Sequence, residues 1–332
     1  MKGKGKKLFV MIGIPLACVI LAGVILWFAV IRPNQRYDAA MTLMEKEKYE
    51  DAQDAFEALN GYKDSEAKVE QCRLAIRELR YNNALALLES GHVLDACEAF
   101  RALDGYKDSA QKADAVYEKH MEKMERLKAA QVGDHLTFGA YEQDNDLTNG
   151  KEDIQWLVLD IQDGKALVVS RYALDCKAYN NIFLTISWEA CSLRSWLNQV
   201  FLNTAFCVEE RALIPPVTVS ADPNPIYNTK TGSDTQDQVF LLSIVEANRY
   251  FASAEERKCE PTAYAVAKGA HTSTQSGLRC WWWLRSPGYL QFRASLVLND
   301  GNIYEHGDFA TYGTGTIRPA MWIDLSLAEI PE

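Results

Sequence analysis

Three consecutive tryptophans and an arginine, in Trp281-Trp282-Trp283-Leu284-Arg285, form the most unusual local cluster in this 332-residue chain. In an extended strand Trp281 and Trp283 share one face and Trp282 takes the other. One large ring must therefore be exposed or roofed by loops. Two readings stand side by side. In the first, the tryptophans form an aromatic platform for a sugar or peptide, with Arg285, Arg293 and Asp300 giving polar direction. In the second, the strand is core on both faces and Arg285 is paired internally. Arg318, directly before Pro319, either binds a ligand carboxylate or pins the last strand. Trp282, Arg285, Arg293, Asp300 and Arg318 are the candidate ligand-binding set.

Patterns that would mark catalysis do not gather. The five histidines show no H-x-x-x-H or H-E-x-x-H spacing, there is no G-x-S-x-G elbow, and Gly313-Thr314-Gly315-Thr316 lacks the lysine of a phosphate loop. Asp300, Glu305 and Asp308, with His306 among them, are weighed as a calcium site, the carboxylates offering the oxygen ligands, but they lack EF-hand spacing; surface acids are the plainer account. No C-x-x-C occurs among the eight cysteines, and buried free thiols are the default. The expectation is a non-enzymatic chain with no catalytic residue, cofactor or metal.

The elements that must position these residues begin at about residue 131. Glycine and asparagine puncture the chain there, and alternation replaces helical spacing. IQWLVLDI (154–161) and ALVVSRYAL (166–174) flank Gln162-Asp163-Gly164-Lys165, a hairpin signal. Ser187 can cap a helix from Trp188 to about Asn203. The polar stretch 220–236 reads as a long loop, DQVFLLSI (237–244) as a buried strand and Glu246–Ala252 as a short helix. SLVLNDGNIYE (295–305) is a second hairpin and TIRPAMWIDL (316–325) a last strand. Helices between antiparallel hairpins define an α+β domain over 131–326, followed by a tail, 327–332.

Residues 32–130 carry an internal repeat. Residues 37–68 align without gaps to 81–112, an offset of 44, matching Tyr37/Tyr81, Phe56/Phe100 and the Gly-Tyr-Lys-Asp-Ser blocks 61–65 and 105–109. Gly61 and Gly105 suit helix C-termini; Asp64/Ser65 and Asp108/Ser109 suit the caps of the next helices. The pattern resembles the tetratricopeptide class with a longer period. It serves as a spacer or as a partner-binding groove.

Four lysines lie in residues 1–7, a basic stub, and Leu8–Ile31 runs without a charge. Its 24 residues reach about 36 Å, enough for a transmembrane helix. The lysine bias then places the N-terminus in the cytoplasm and the bulk of the chain outside, in a single-pass plasma-membrane protein. The net charge of -10 argues against a nucleic-acid partner.

WEACSLRSWLN (188–198), VFLLS (239–243), WWWLRSPG (281–288), NDG (299–301) and IRPAMWI (317–323) resemble a domain family without assigned function that recurs in surface-anchored proteins of Firmicutes. The likeness covers about 131–326. That family is similar, more distantly, to the formylglycine-generating-enzyme and C-type-lectin group, which hosts sugar binders and oxidases. The resemblance implies a mixed, strongly looped domain and by itself fixes no function; the leading expectation is a membrane-anchored protein that presents this domain on a short helical stalk to bind a glycan, a peptide or an envelope protein. Its alternatives are an oxidase-like extracytoplasmic enzyme and an envelope scaffold acting through the repeats.

Overall fold

A computed structural model describes residues 19–273 and 277–328. The basic stub 1–7, Cys18 and residues 329–332 lie outside them. The described residues belong to two compact units, Met1–Leu88 with Leu94–Asp114, and Glu89–Val93 with Ala115–Glu332.

The helices of the repeat are α1 (Arg32–Glu45), α2 (Tyr49–Glu57), α3 (Ser65–Glu89), α4 (Val93–Arg101) and α5 (Ser109–Lys128). The repeat is the same down to its side chains. Tyr37 meets Phe56 edge-on at 5.5 Å, its hydroxyl donates to Asp64 Oδ1, and Lys63 Nζ lies 4.5 Å over its ring. Tyr81 meets Phe100 at 5.7 Å and donates to Asp108, with Lys107 Nζ at 4.7 Å. The turns that deliver these groups need left-handed backbone at Asn60, Gly61 and Lys63, and again at Asp104, Gly105 and Lys107. Asp64 and Asp108 stand directly before Ser65 and Ser109, as expected of caps, their carbonyls accepting from the Lys68 and Lys112 amide N–H groups, while their side chains accept the tyrosine hydroxyls. The hydrogen bond to Asp108, helped by burial, pushes the Tyr81 phenol up to about 12.

The expected transmembrane helix over Leu8–Ile31 is corrected. Residues 8–18 lie outside the described residues, and among those described no helix is long and apolar enough to cross a membrane. A π-helical turn, Trp27–Ile31, then leads straight into the polar α1. The single-pass membrane assignment, the plasma-membrane localisation and the cytoplasmic–extracytoplasmic division lose their support with it.

The second unit is α+β. Its strands are β1 (His135–Tyr141), β2 (Glu152–Gln162), β3 (Lys165–Ser170), β4 (Asp175–Cys176), β5 (Val217–Val219), β6 (Thr235–Asp237), β7 (Val239–Phe240), β8 (Thr272–Ser273), β9 (Arg279–Cys280), β10 (Trp282–Pro287), β11 (Arg293–Val297), β12 (Ile303–Phe309), β13 (Thr316–Ile317) and β14 (Ala320–Asp324). Two five-stranded sheets run β1-β2-β3-β14-β7 and β12-β11-β10-β13-β4, and both feed one hydrophobic core. The β2–β3 hairpin turns at Asp163 and Gly164, both at positive φ, as the Asp-Gly pair requires. The β11–β12 hairpin also forms.

Three segments differ from expectation. Residues 316–325 are not one strand, because the chain changes sheets at Arg318-Pro319. There β13 runs parallel to β10 and β14 antiparallel to β3. The helix expected from Trp188 is a 3-10 turn, Trp188–Ala190, then α6 (Ser192–Trp196), a π-helical stretch Leu197–Phe201 and α7 (Leu202–Ala205); Cys191 Sγ, not Ser187, accepts from the Arg194 amide N–H at the cap. The single strand expected over 237–244 is the two short strands β6 and β7. After a further helix, α8 (Val208–Ala212), comes α9 (Ile244–Tyr250), started by a Ser243/Glu246 capping box.

Candidate functional site

Of the candidate set, three residues are structural in their surroundings. Trp282 is fully buried and its Nε1 donates to Arg257 O at 3.0 Å. Arg285, 3% exposed, binds both oxygens of Glu246, Asp222 Oδ2 at 3.0 Å and Leu241 O at 2.9 Å. Its guanidinium thus ties the loop at Asp222 and the start of α9 to β10. Arg318, also buried, donates to Ser170 O at 2.9 Å, and its guanidinium lies over Trp282 and Phe251 at 5.1 and 5.2 Å. It pins the crossing between the sheets.

The 188–198 motif is explained in the same way. Asp237, 1% exposed, accepts from Trp188 Nε1 at 2.9 Å, Arg194 Nε at 2.6 Å and Thr235 Oγ1 at 2.6 Å. Asn198 holds both the N–H and the C=O of Val239. The motif therefore clamps β6 and β7. Cys259 and Cys280 face each other across an isolated bridge; the hydrogen bond to Cys259, with burial, pushes the Cys280 thiol far up and keeps it protonated.

Trp281 and Trp283 do share a face, with ring centroids 4.8 Å apart at 84°. Gly315 is required where they meet, because a Cβ there would stand 2.1 Å from Trp283 Nε1. On the Trp281 side opens a cleft of about 560 Å³ lined by His271, Ser273, Trp281, Leu298, Asn299, Asp300, Asp308, Tyr312 and Thr314. Asp300 is shaped by its own turn, accepting from the Asn302 amide N–H at 3.0 Å and from Asn302 Nδ2 at 2.9 Å. The bond from the Asn302 amide holds its carboxyl below the usual aspartate range. Asp300 is thus an anion aimed at solvent.

A row of aromatics continues from this cleft. Tyr312 is 44% exposed and lies 5.4 Å from Phe309, which stacks on Phe292 at 5.8 Å and 11°. Arg293 sits 4.3 Å over Phe309, 3.9 Å from Asp308, and donates to Gly307 O. The structure thus places Asp300 in the cleft, Arg293 beside one of its walls, and Trp282, Arg285 and Arg318 in the core. Beyond the candidate set, the cleft includes Trp281, which the sequence reading counts in its aromatic platform, Asp308, which it weighs as a calcium ligand, and Asn299 of the Asn-Asp-Gly turn; Tyr312 it does not single out. All three tryptophans are buried, Trp281 at 8% exposure reaching the cleft wall, so the strand is core on both faces, as the second sequence reading has it. Tyr312 had no signal beyond its glycine-rich surroundings.

The fold and cleft define a looped α+β domain with an aromatic and acidic depression at one sheet. Residues 163–325 match the family model Domain of unknown function (DUF6273), consistent with the uncharacterised domain family that the motifs point to. No curated protein and no solved structure matches the chain.

Proposed function

We propose that the α+β unit is a binding domain for a neutral glycan, held in the Trp281–Asp300–Tyr312 cleft. The observation that carries this reading is the make-up of the cleft. It sets the largely buried indole of Trp281, 8% exposed, and the exposed phenol of Tyr312 beside two carboxylates and an amide. Aromatic rings cover the apolar C–H face of a sugar, and carboxylate and amide groups take its paired hydroxyls. Its volume of about 560 Å³ falls within the usual range for small-molecule sites. Asp300 and Asp308 oppose an anionic ligand.

A glycan and peptide array probed with the full chain tests the reading. Neutral sugars should bind, and Tyr312→Ala and Asp308→Asn should each weaken that binding by about tenfold, a loss of ~1.4 kcal/mol. Capture of peptides alone, or sugar binding untouched by both variants, would overturn it. The likeness to the formylglycine-enzyme and lectin group supplies the competing reading of an oxidase. Turnover of a thiol substrate by the full chain would favour that alternative.

A further inference from the structure

The connection from β1 to β2, residues 142–151, carries chemistry that the cleft does not use. Glu142, Asp144 and Glu152 each bring a carboxylate oxygen within 4.8 Å of the others. Two of the three are held in place. Glu152 Oε2 accepts from the Gln143 amide N–H at 2.6 Å and the Asp144 amide N–H at 3.2 Å. Asp144 accepts from the Asp146 amide N–H at 2.7 Å and from Asn149 Nδ2 at 2.7 Å.

Glu142 is different. It is only 8% exposed, and its Oε1 is buried without a hydrogen-bond partner. Buried carboxylate oxygens are almost always satisfied, so an unmade one beside two further carboxylates calls for a positive partner. The protein supplies none. Among the described residues no lysine, arginine or histidine forms an ion pair with any of the three. Lys151, the one cation in the connection, reaches away to Thr204 O at 2.6 Å.

We propose that Glu142, Asp144 and Glu152 form a calcium site that closes the β1–β2 connection. The donors are all carboxylate oxygens, which select a hard cation over zinc or copper. An irregular loop suits the larger, geometrically tolerant Ca²⁺ better than Mg²⁺, which demands a near-ideal octahedron. The ion would occupy the unmade position at Glu142 and neutralise the mutual repulsion of the cluster. None of the three residues lines the glycan cleft, so the two proposals stand or fall separately.

The test uses the full chain after chelator treatment. CaCl2 is titrated by calorimetry and by thermal unfolding, and Tb³⁺ by emission sensitised through Tyr141 and Trp156. Binding with a Kd of about 10⁻⁵–10⁻³ M, a rise in Tm, and a weaker response to MgCl2 are expected. Glu142→Gln should weaken Ca²⁺ and Tb³⁺ binding by at least about tenfold while keeping the circular-dichroism spectrum. If that variant does not fold, Asp144→Asn, at an exposed position, must show the same loss. Absence of heat, Tm shift and Tb³⁺ emission in the parent protein would overturn the site, and so would undiminished binding in a folded variant.

Discussion

Glu210 shows how one side chain can hold three segments. Its Oε1 accepts from the Gly139 amide N–H of β1 and pairs with Lys123 on α5, while Oε2 accepts from the Cys207 amide N–H in the capping box of α8. Burial alone would raise its carboxyl; Lys123 and the two backbone N–H groups outweigh burial, and the group titrates below the ordinary glutamate range. Its native pKa is therefore lower than the unfolded value of about 4.3. The stabilisation is complete above that value and is lost as pH falls through the native one. Glu210→Gln should cost about 2 kcal/mol at pH 7 and progressively less as pH falls through the native pKa, read from urea unfolding across a pH series. Arg285 gives the larger effect. Arg285→Ala strands Glu246 and Asp222 next to the core and should cost about 3–5 kcal/mol, with Arg285→Lys intermediate because lysine cannot bind both Glu246 oxygens. The sequence made Arg285 conspicuous but left its role open between ligand and internal pair. Its partners lie 63 and 39 residues away, and no local spacing could announce them.

At the scale of elements, legibility followed how local the determinants were. The β2–β3 turn was readable because Asp163-Gly164 itself demands positive φ. The repeat was readable because each Tyr–Asp–Lys interlock recurs as a sequence block. The sheet change at Arg318-Pro319 was hidden, since β13 and β14 form one apolar run and only distant partners separate them. The cluster around Glu142 was hidden too: it exists only once β1 pairs with β2, and the sequence reading weighed calcium at Asp300–Asp308 instead. Two glycines separate local strain from packing. A Cβ on Gly301, at φ +85, would stand 1.7 Å from Ala254 O, whereas one on Gly164, at φ +74, meets only Ser326 Cβ at 3.8 Å. Gly164→Ala should cost about 1 kcal/mol, from backbone strain alone. Gly301→Ala should cost at least about 2 kcal/mol more and shift the β11–β12 hairpin, seen as a lower denaturation midpoint and altered near-ultraviolet dichroism.

Across the whole molecule, 45 acidic against 35 basic residues give a field that acts on any ligand before contact. A net charge of -10 raises the local concentration of cations and lowers that of anions. The Debye length is about 30 Å at 0.01 M salt and about 8 Å at 0.15 M, so added salt removes the contribution of distant charges and leaves that of close ones. The two proposed sites should therefore answer salt differently. Ca²⁺ binding at Glu142, Asp144 and Glu152 should weaken by about three- to tenfold between 0.01 and 0.15 M NaCl, the remaining affinity being that of the three carboxylates within 4.8 Å of one another. A neutral glycan in the cleft has no net charge for this field to act on, and its Kd should stay constant over the same range. Sulfated or carboxylated glycans of the same size should bind worse than neutral ones at 0.01 M and recover part of the difference at 0.15 M. Parallel titrations of the three ligands at the two salt concentrations check this. A glycan affinity that falls with salt as the calcium affinity does would mean that the ligand is held by its charge, and that the aromatic walls at Trp281 and Tyr312 are not what selects it.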